Sequence, residues 1–450
     1  MSENKVDMKS AAEKLINKHE SAFKKLGATD PWINVELARR RISRKLPPTP
    51  LLKGRVLPKS VCKAEIKDLY YKCDHIRVTG AYKERGGLNA LMSLNKEEAA
   101  RGVIAASAGN HAQALALHGS QLGIPVTVVM PLNAPIVKVE NCKGFGASVV
   151  LSGRNFSEAK QQAEKLAKEK GYRYVNGYDD AEIIFGAGTC GLEIIDQLPD
   201  VDVIVVPTGG GGLIAGISLA VKRLNPNIKV IGVESEACTS VSTALEKQNP
   251  TLAPVSAGGT LADGLAVETV GARAFGFIKE YVDKVITVPE SLIARSVLHM
   301  LEVEKMLVEG AGATGLAGIL SGKLDDDIRG MKVVTVITGG NIDINLLGRV
   351  IDLGLKASGR LHTFDISILN SVGSLAEMTR ILSTTGASVK TINQENPMIY
   401  DVFRLTVHME VETIDEAHWH RVKSTMQKHG YELTEYEMIS NPALKPVSKL

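Results

Sequence analysis

The hydrophobic rhythm of the 450-residue chain changes twice. Residues 1 to about 45 are polar with helical spacing. PPTPL (47–51) ends that stretch, because consecutive prolines remove backbone donors and disfavour helical geometry in the residue before them. From about 51 to 345, short apolar or β-branched runs alternate with longer amphipathic ones. GVIAAS precedes a helix over 110–122, PVTVVMP and ASVVLSG lead to a helix over 156–170, and VDVIVVPTGGGG leads to another; KVIGVES and KVVTVITGGN follow. This alternation predicts an α/β fold with a mostly parallel sheet covered by helices, and with ligands at the carboxyl ends of strands, where the glycine-rich turns fall.

After a charged helical stretch near 345–360 the period shortens. TFDISIL (363–369) alternates like a half-buried strand, NSVGSLAEMTRILSTTG reads as a turn and an amphipathic helix, and SVKTINQE and YDVFRLTVHMEV read as two strands. A helix over about 414–429 and a YELTEYEM strand complete a βαββαβ pattern, the ferredoxin-like unit. The expected division is a helical extension (1–46), an α/β part (47–360), a small separate domain (361–440) and a tail (441–450).

Composition narrows the function classes. At 44% hydrophobic and 23% charged, the chain has a globular make-up with room for large cores. Its 53 basic side chains nearly balance 50 acidic ones, which points to a small-molecule ligand and away from nucleic acid or a membrane as partner. The run RRRISRK (39–45) reads as a solvated helix face, since no aromatic residues interleave with its charges. Five scattered cysteines (Cys62, Cys73, Cys142, Cys190, Cys238) with no CxxC pair suit a reducing compartment. The first twenty residues lack the apolar core of a signal peptide, and no run reaches roughly 18 apolar residues, so a cytoplasmic location is expected.

Three segments carry candidate chemistry. In PTGGGGLIAG (207–216) an apolar strand runs into four glycines and a helix; glycines let backbone N–H groups approach an anion, and a helix N-terminus adds partial positive charge. A phosphate is the expected ligand. No Gly-Lys-Ser/Thr follows and no GxGxxG fingerprint lies near the N-terminus, which disfavours nucleotide hydrolysis and hydride transfer. In TGAYKERGG (79–87), Lys83 opens a helix between glycine-containing turns. A surface lysine is the plain reading. The functional one is a covalent nucleophile, which burial or a neighbouring positive charge such as Arg85 would activate. In ASAGNHAQALALHGSQLG (106–123) a strand turns at Gly109 into a helix whose first N–H groups could hold a carboxylate, with Ser107 and Asn110 adding side-chain bonds or serving only as caps. His111 reads as a packing residue.

These segments in this order, with TGGN at 338–341, resemble the fold-type II pyridoxal-phosphate enzymes, and within them the threonine and serine dehydratases (threonine ammonia-lyases). The resemblance covers roughly 47–345, and 363–440 resembles an ACT or ACT-like regulatory domain. It implies two open, twisted, mostly parallel sheets within a catalytic part over 47–360. Lys83 would carry the cofactor covalently and, once freed, take the substrate's Cα proton. Asn110 would bond the pyridoxal 3-oxygen, Gly209, Gly210, Gly211, Gly212 and Leu213 would cradle the phosphate, and Thr338 would face the pyridine nitrogen. Ser107, Ala108, Gly109, Asn110 and His111 would bind the substrate carboxylate, and SAGGTLADGLAV (256–267) would line the site mouth. The implied reaction takes L-threonine to 2-oxobutanoate, L-serine to pyruvate, or both, with release of ammonia. The implied assembly is a homodimer or homotetramer, with an amino-acid effector at the C-terminal domain.

Departures from the family pattern bear on the alternatives. A hydroxyl at Thr338 cannot keep a pyridine nitrogen protonated, which favours elimination over transamination. Serine racemases resemble the chain, yet their second acid–base serine in SSGNH is Ala108 here. Glu234 matches the glutamate of a divalent-ion site found in part of the family, but the carboxylate expected six residues on is Ser240. Tyr82 replaces a phenylalanine before the lysine, and Val372 replaces a proline in the ACT-type loop NSVGSLAEM. A β-replacement enzyme related to cysteine synthase and a catalytically silent amino-acid sensor are further readings. Preference among threonine, serine and hydroxyaspartate is left open, because one methyl in a pocket is worth only about 1–3 kcal/mol.

Overall fold

The computed structural model describes residues 30–55, 57, 62–250, 259–395 and 403–436. Of the N-terminal helix expected from the polar pattern, Pro31–Ile42 is described; Asp30 caps it by accepting from Trp32 N, and a proline opens it. Trp32, Val35 and Ala38 bury against Phe185, Leu192 and Leu219. Two arginines of the basic run are tied down, Arg39 to Glu36 (2.7 Å) and Asp196 (3.1 Å), and Arg41 to Glu182 (3.0 Å). The expected tail at 441–450 lies outside the described residues.

Ten strands follow: β1 (Leu51–Lys53), β2 (Asp68–Cys73), β3 (Val103–Ala106), β4 (Val126–Met130), β5 (Ser148–Leu151), β6 (Arg173–Tyr174), β7 (Val203–Pro207), β8 (Lys229–Ser235), β9 (Lys284–Val288) and β10 (Lys332–Ile337). They form two sheets, one of order β1-β2-β10-β7-β8-β9, parallel except for the β1–β2 pair, and one all-parallel of order β5-β4-β3-β6. The two-sheet α/β architecture implied by the resemblance is therefore present. Every residue of β3 and β7 is buried, as continuous apolar runs are when helices cover both faces of a parallel sheet. The helices expected over 110–122 and 156–170 are observed as Asn110–Leu122 and Phe156–Lys170. The strands β2, β6 and β9 were not marked in the sequence pattern: each carries polar residues, and sheet pairing decides its state.

Strand order positions the site. Because β10 lies between β2 and β7 and runs parallel to both, the turns after all three converge on one edge. Those turns contain TGAYK, TGGN and TGGGG.

After the helix Ile344–Ala357 come β11 (Leu361–Leu369), a helix Ser374–Ser383, β12 (Ser388–Glu395), β13 (Arg404–Glu412), a helix Glu416–Lys428 and β14 (Leu433–Glu435). The sheet is antiparallel with order β12-β13-β11-β14, the ferredoxin-like arrangement expected from the βαββαβ pattern. Phe364, Ile366, Ile368, Val407, Met409 and Val411, one per two residues along β11 and β13, fill its core with Trp419 of the helix Glu416–Lys428. Arg360 joins this unit to the larger part through a fork on Glu302 (2.7 and 2.9 Å), within a π-helical turn at Met300–Glu304, and Lys390 pairs with Asp352. No helix among the described residues is long and apolar enough to cross a membrane.

Candidate active site

The glycine loop presents a row of backbone donors. Gly209, Gly210, Gly211, Gly212 and Leu213 are all buried, yet none of their backbone N–H groups donates to a protein acceptor among the described residues. Buried donors left unpaired cost about 1–3 kcal/mol each, so five adjacent ones call for a ligand rich in acceptors. Gly211 has φ +91°, a conformation that favours glycine, and it caps the helix Gly212–Leu224. A Cβ on Gly210 would lie 2.5 Å from Tyr178 Cγ, and one on Gly209 would lie 2.8 Å from Leu265 Cα. The cradle is thus walled by residues 176–179 on one side and by the loop around Leu265 on the other, and its N–H groups fit a phosphate.

Lys83 is the first residue of the helix Lys83–Met92 and is half-buried, with Nζ donating to the Gly177 carbonyl (2.6 Å) and lying 5.1 Å from the Tyr82 ring centroid. Gly177 adjoins Tyr178, so one short turn bridges Lys83 to the glycine cradle. Its conformation comes from Asn176 Oδ1, which accepts from Tyr178 N and Asp179 N at 3.0 and 2.9 Å. Sequence reasoning passed over this turn, whose only signal was the NGYDD cluster.

Thr338 reaches the same place through the backbone. Its carbonyl accepts from Tyr82 N (2.9 Å), Ala81 bridges Gly339, and Gly340 N donates to Gly80 O (2.9 Å). Gly80 has φ +73°, and a Cβ there would strike the Asn341 side chain. Asn110 closes the ring: its Nδ2 donates to Glu309 Oε1 and its Oδ1 accepts from Asn341 Nδ2, both at 2.8 Å. Ser107, Ala108 and Gly109 are half-buried beside it, and Gly109, the helix N-cap, has open space where a Cβ would stand. Neither Ser107 nor Asn110 caps the helix: Ser107 Oγ accepts from Gly109 N (3.3 Å), and the N–H groups of Asn110, His111 and Ala112 have no protein acceptor among the described residues. That N-terminus is free to take a carboxylate.

His111 is buried, with Nε2 donating to Val175 O (3.1 Å) and Nδ1 unpartnered. Burial, and then the charge of Lys83, push its imidazole down to about 3, so it is neutral at physiological pH. Two further candidates have protein partners of their own. Arg85, weighed as an activating charge for Lys83, is fully enclosed and forks onto Asp74 (2.6 and 2.8 Å) and Glu193 (2.6 and 2.7 Å), anchoring the helix from behind. Glu234, considered as a metal ligand, has its carboxylate taken up by Val241 N (2.7 Å), Ser242 N (2.9 Å) and Ser242 Oγ (2.6 Å) at the start of the helix Ser240–Lys247. Among the described residues no three His, Cys, Asp or Glu side chains gather as a metal site.

Glu309 and Asn341 were not singled out in the sequence. Glu309 is 6% exposed, and burial, followed by the nearby charge of Asp263, pushes its carboxyl up to about 7 against the opposing pull of Asn110 and Lys138. Lys138 and Asp263 pair at 3.1 Å, joining the helix Ile136–Gly144 to the loop carrying Leu265.

Residues 42–339 match the family model described as pyridoxal-phosphate dependent enzyme. An L-threonine ammonia-lyase of Thermotoga maritima is 41% identical over 367 residues, 81% of this chain and 90% of that protein. The crystal structure of a serine racemase from Dictyostelium discoideum superposes with TM-score 0.65 at 34% identity, covering 70% of this chain and 100% of that one. The processed form of threonine deaminase isoform 2 from Solanum lycopersicum superposes with TM-score 0.61 at 30% identity, covering 69% and 98%.

Proposed function

This chain belongs to the family of pyridoxal-phosphate-dependent enzymes, and we propose that it is an ammonia-lyase taking L-threonine to 2-oxobutanoate and L-serine to pyruvate, with release of ammonia. One observation carries the reading: a lysine amine lies one turn away from a buried cradle of unpartnered N–H groups, beside a helix N-terminus that is also free. The relatives named as threonine ammonia-lyase and threonine deaminase support the substrate class.

Pyridoxal phosphate, when bound, supplies an electron sink that acidifies the Cα proton of an amino acid. Gly209 to Leu213 would hold its phosphate, Lys83 its aldehyde carbon, Asn110 its 3-oxygen and Thr338 its ring nitrogen. The free N–H groups of Asn110, His111 and Ala112, with Ser107, would hold the substrate carboxylate. The free Lys83 amine would take the Cα proton. Gly177 O accepts from Nζ and orients that amine. His111, neutral and tied to Val175, contributes shape at the carboxylate site. A methyl at Ala108 puts no acid–base group at the position where the racemase pattern carries its second one, so removal of the β-hydroxyl prevails over return of a proton to the opposite face. Similarity to a serine racemase supports racemisation as a second, minor activity.

We further read the C-terminal unit as an ACT-like regulatory domain binding an amino acid, the active form as a homodimer or homotetramer, and the location as cytoplasmic. Adding each amino acid in turn to the full-length enzyme should change its kinetics with at least one; indifference to all of them argues against the regulatory reading. The central test pairs the visible absorbance of bound cofactor with keto-acid release from L-threonine and L-serine. Both should be present in the wild type and lost in Lys83→Ala.

A further inference from the structure

The Asn110 amide is gripped from both ends, and the grip has a fixed direction. Asn341 Nδ2 donates to the Thr79 carbonyl at 2.6 Å as well as to Asn110 Oδ1 at 2.8 Å. A carbonyl can only accept, so Asn341 must present its NH2 group there, and Asn110 must in turn offer its oxygen to Asn341. The Asn110 NH2 group is thereby forced to the opposite side, where one hydrogen goes to Glu309 Oε1. The other hydrogen remains for a ligand. Thr79 is itself held, through N and Oγ1, by Glu84 Oε1 (2.6 and 3.0 Å), and Glu84 Oε2 meets His118 Nε2 at 3.1 Å. The chain of contacts His118, Glu84, Thr79, Asn341, Asn110 and Glu309 therefore runs unbroken from the core to the site. Glycines make room for it: a Cβ on Gly80 would strike Asn341, and one on Gly339 would strike Glu309.

We propose that Asn341 and Glu309 are positioning residues that together lock the Asn110 amide with one N–H turned to the bound cofactor, an inference that rests on the functional reading above. The groups facing Glu309 are Asn110, Asp263, Lys138 and the backbone of Asn341, and its carboxyl stands at about 7. A carboxylate accepts more strongly than a neutral carboxyl, so the hold on Asn110 tightens as pH rises through that value.

The test loads apo wild type, Asn341→Ala, Asn341→Asp and Glu309→Gln with pyridoxal phosphate. It reads affinity and the visible band between about pH 5.5 and 8.5, bracketing the Glu309 transition. Asn341→Asp keeps the size of the side chain and removes the donor, so both Asn341 variants should bind the cofactor about tenfold more weakly, about 1.4 kcal/mol. The wild-type band should shift near neutral pH, and the shift should vanish in Glu309→Gln. Wild-type affinity in Asn341→Asp, a shift retained in Glu309→Gln, or affinity losses that merely track the thermal midpoint of each apo variant overturn the positioning role alone. A wild type with no visible band overturns the functional reading and this role with it.

Discussion

At the scale of single residues, reaction outcome turns on what stands next to Cα. Ala108 is half-buried, and its methyl offers no ionisable proton. Replacing it by serine supplies the hydroxyl that the racemase pattern carries at this position, so Ala108→Ser should raise D-serine formation by about tenfold or more while keto-acid release falls. Chiral chromatography of the products reads both, and comparable D-serine output from the wild type would sink the assignment of Lys83 as sole amino-acid base. Glu309 gives a pH signature in the apoprotein. Its folded value of about 7 lies above the ordinary 4.5, so the stability it contributes is full below about pH 4.5 and is lost as pH rises through 7. That loss is on the order of 3 kcal/mol. Thermal unfolding of the apoprotein across this range should show it, and Glu309→Gln should flatten the curve.

At the scale of elements, glycines let loops touch where side chains would keep them apart. The cradle after β7 meets Tyr178 and Leu265 so closely that a single methyl has no room. Gly210→Ala should therefore push the Tyr178 turn away, moving Gly177 from Lys83 and weakening cofactor binding by about tenfold or more, at a stability cost of about 1–3 kcal/mol. Absorbance titration and a melting curve separate the two effects; unchanged affinity would show that the cradle does not close on the cofactor. The glycine run, the lysine helix and the SAGNH turn were readable as elements because each couples an apolar run to a glycine-marked turn. The NGYDD turn was not, because its importance comes from what it touches.

At the scale of the whole molecule, a buried charge cluster holds the site's scaffold. Arg85 ties the end of β2, through Asp74, to the helix Ala181–Gln197, through Glu193, and Lys72 adds a 2.6 Å contact to Glu193. The Arg85 guanidinium overcomes burial and holds the Asp74 carboxyl well below its ordinary range; Glu193 is lowered in the same way. Arg85→Ala leaves the enclosed Asp74 carboxylate without its ion-pair partner and Glu193 with Lys72 as its remaining cation, and should cost about 3–5 kcal/mol, read as a lower denaturant midpoint. Stability from these two groups is present above their unfolded values and is lost as pH falls through the lower folded ones, so acid unfolding of the wild type should be steep and that of Arg85→Ala shallow. A midpoint unmoved by the substitution would remove the cluster from the scaffold.

Local pattern determined a good deal: the α/β alternation, the βαββαβ unit, the helices 110–122 and 156–170, and the three motifs, because period and glycine placement are properties of neighbouring residues. Strand order was beyond it, since β10 lies between β2 and β7 although more than 120 residues separate each of them from it. That order is what brings TGAYK, TGGN and TGGGG to one edge. Tertiary structure alone also decided the fate of individual charges: Arg85 turned into the core, Glu234 onto a helix end, and Glu309 against Asn110. A side chain's partner is set by distance in space, and single-chain spacing does not encode it.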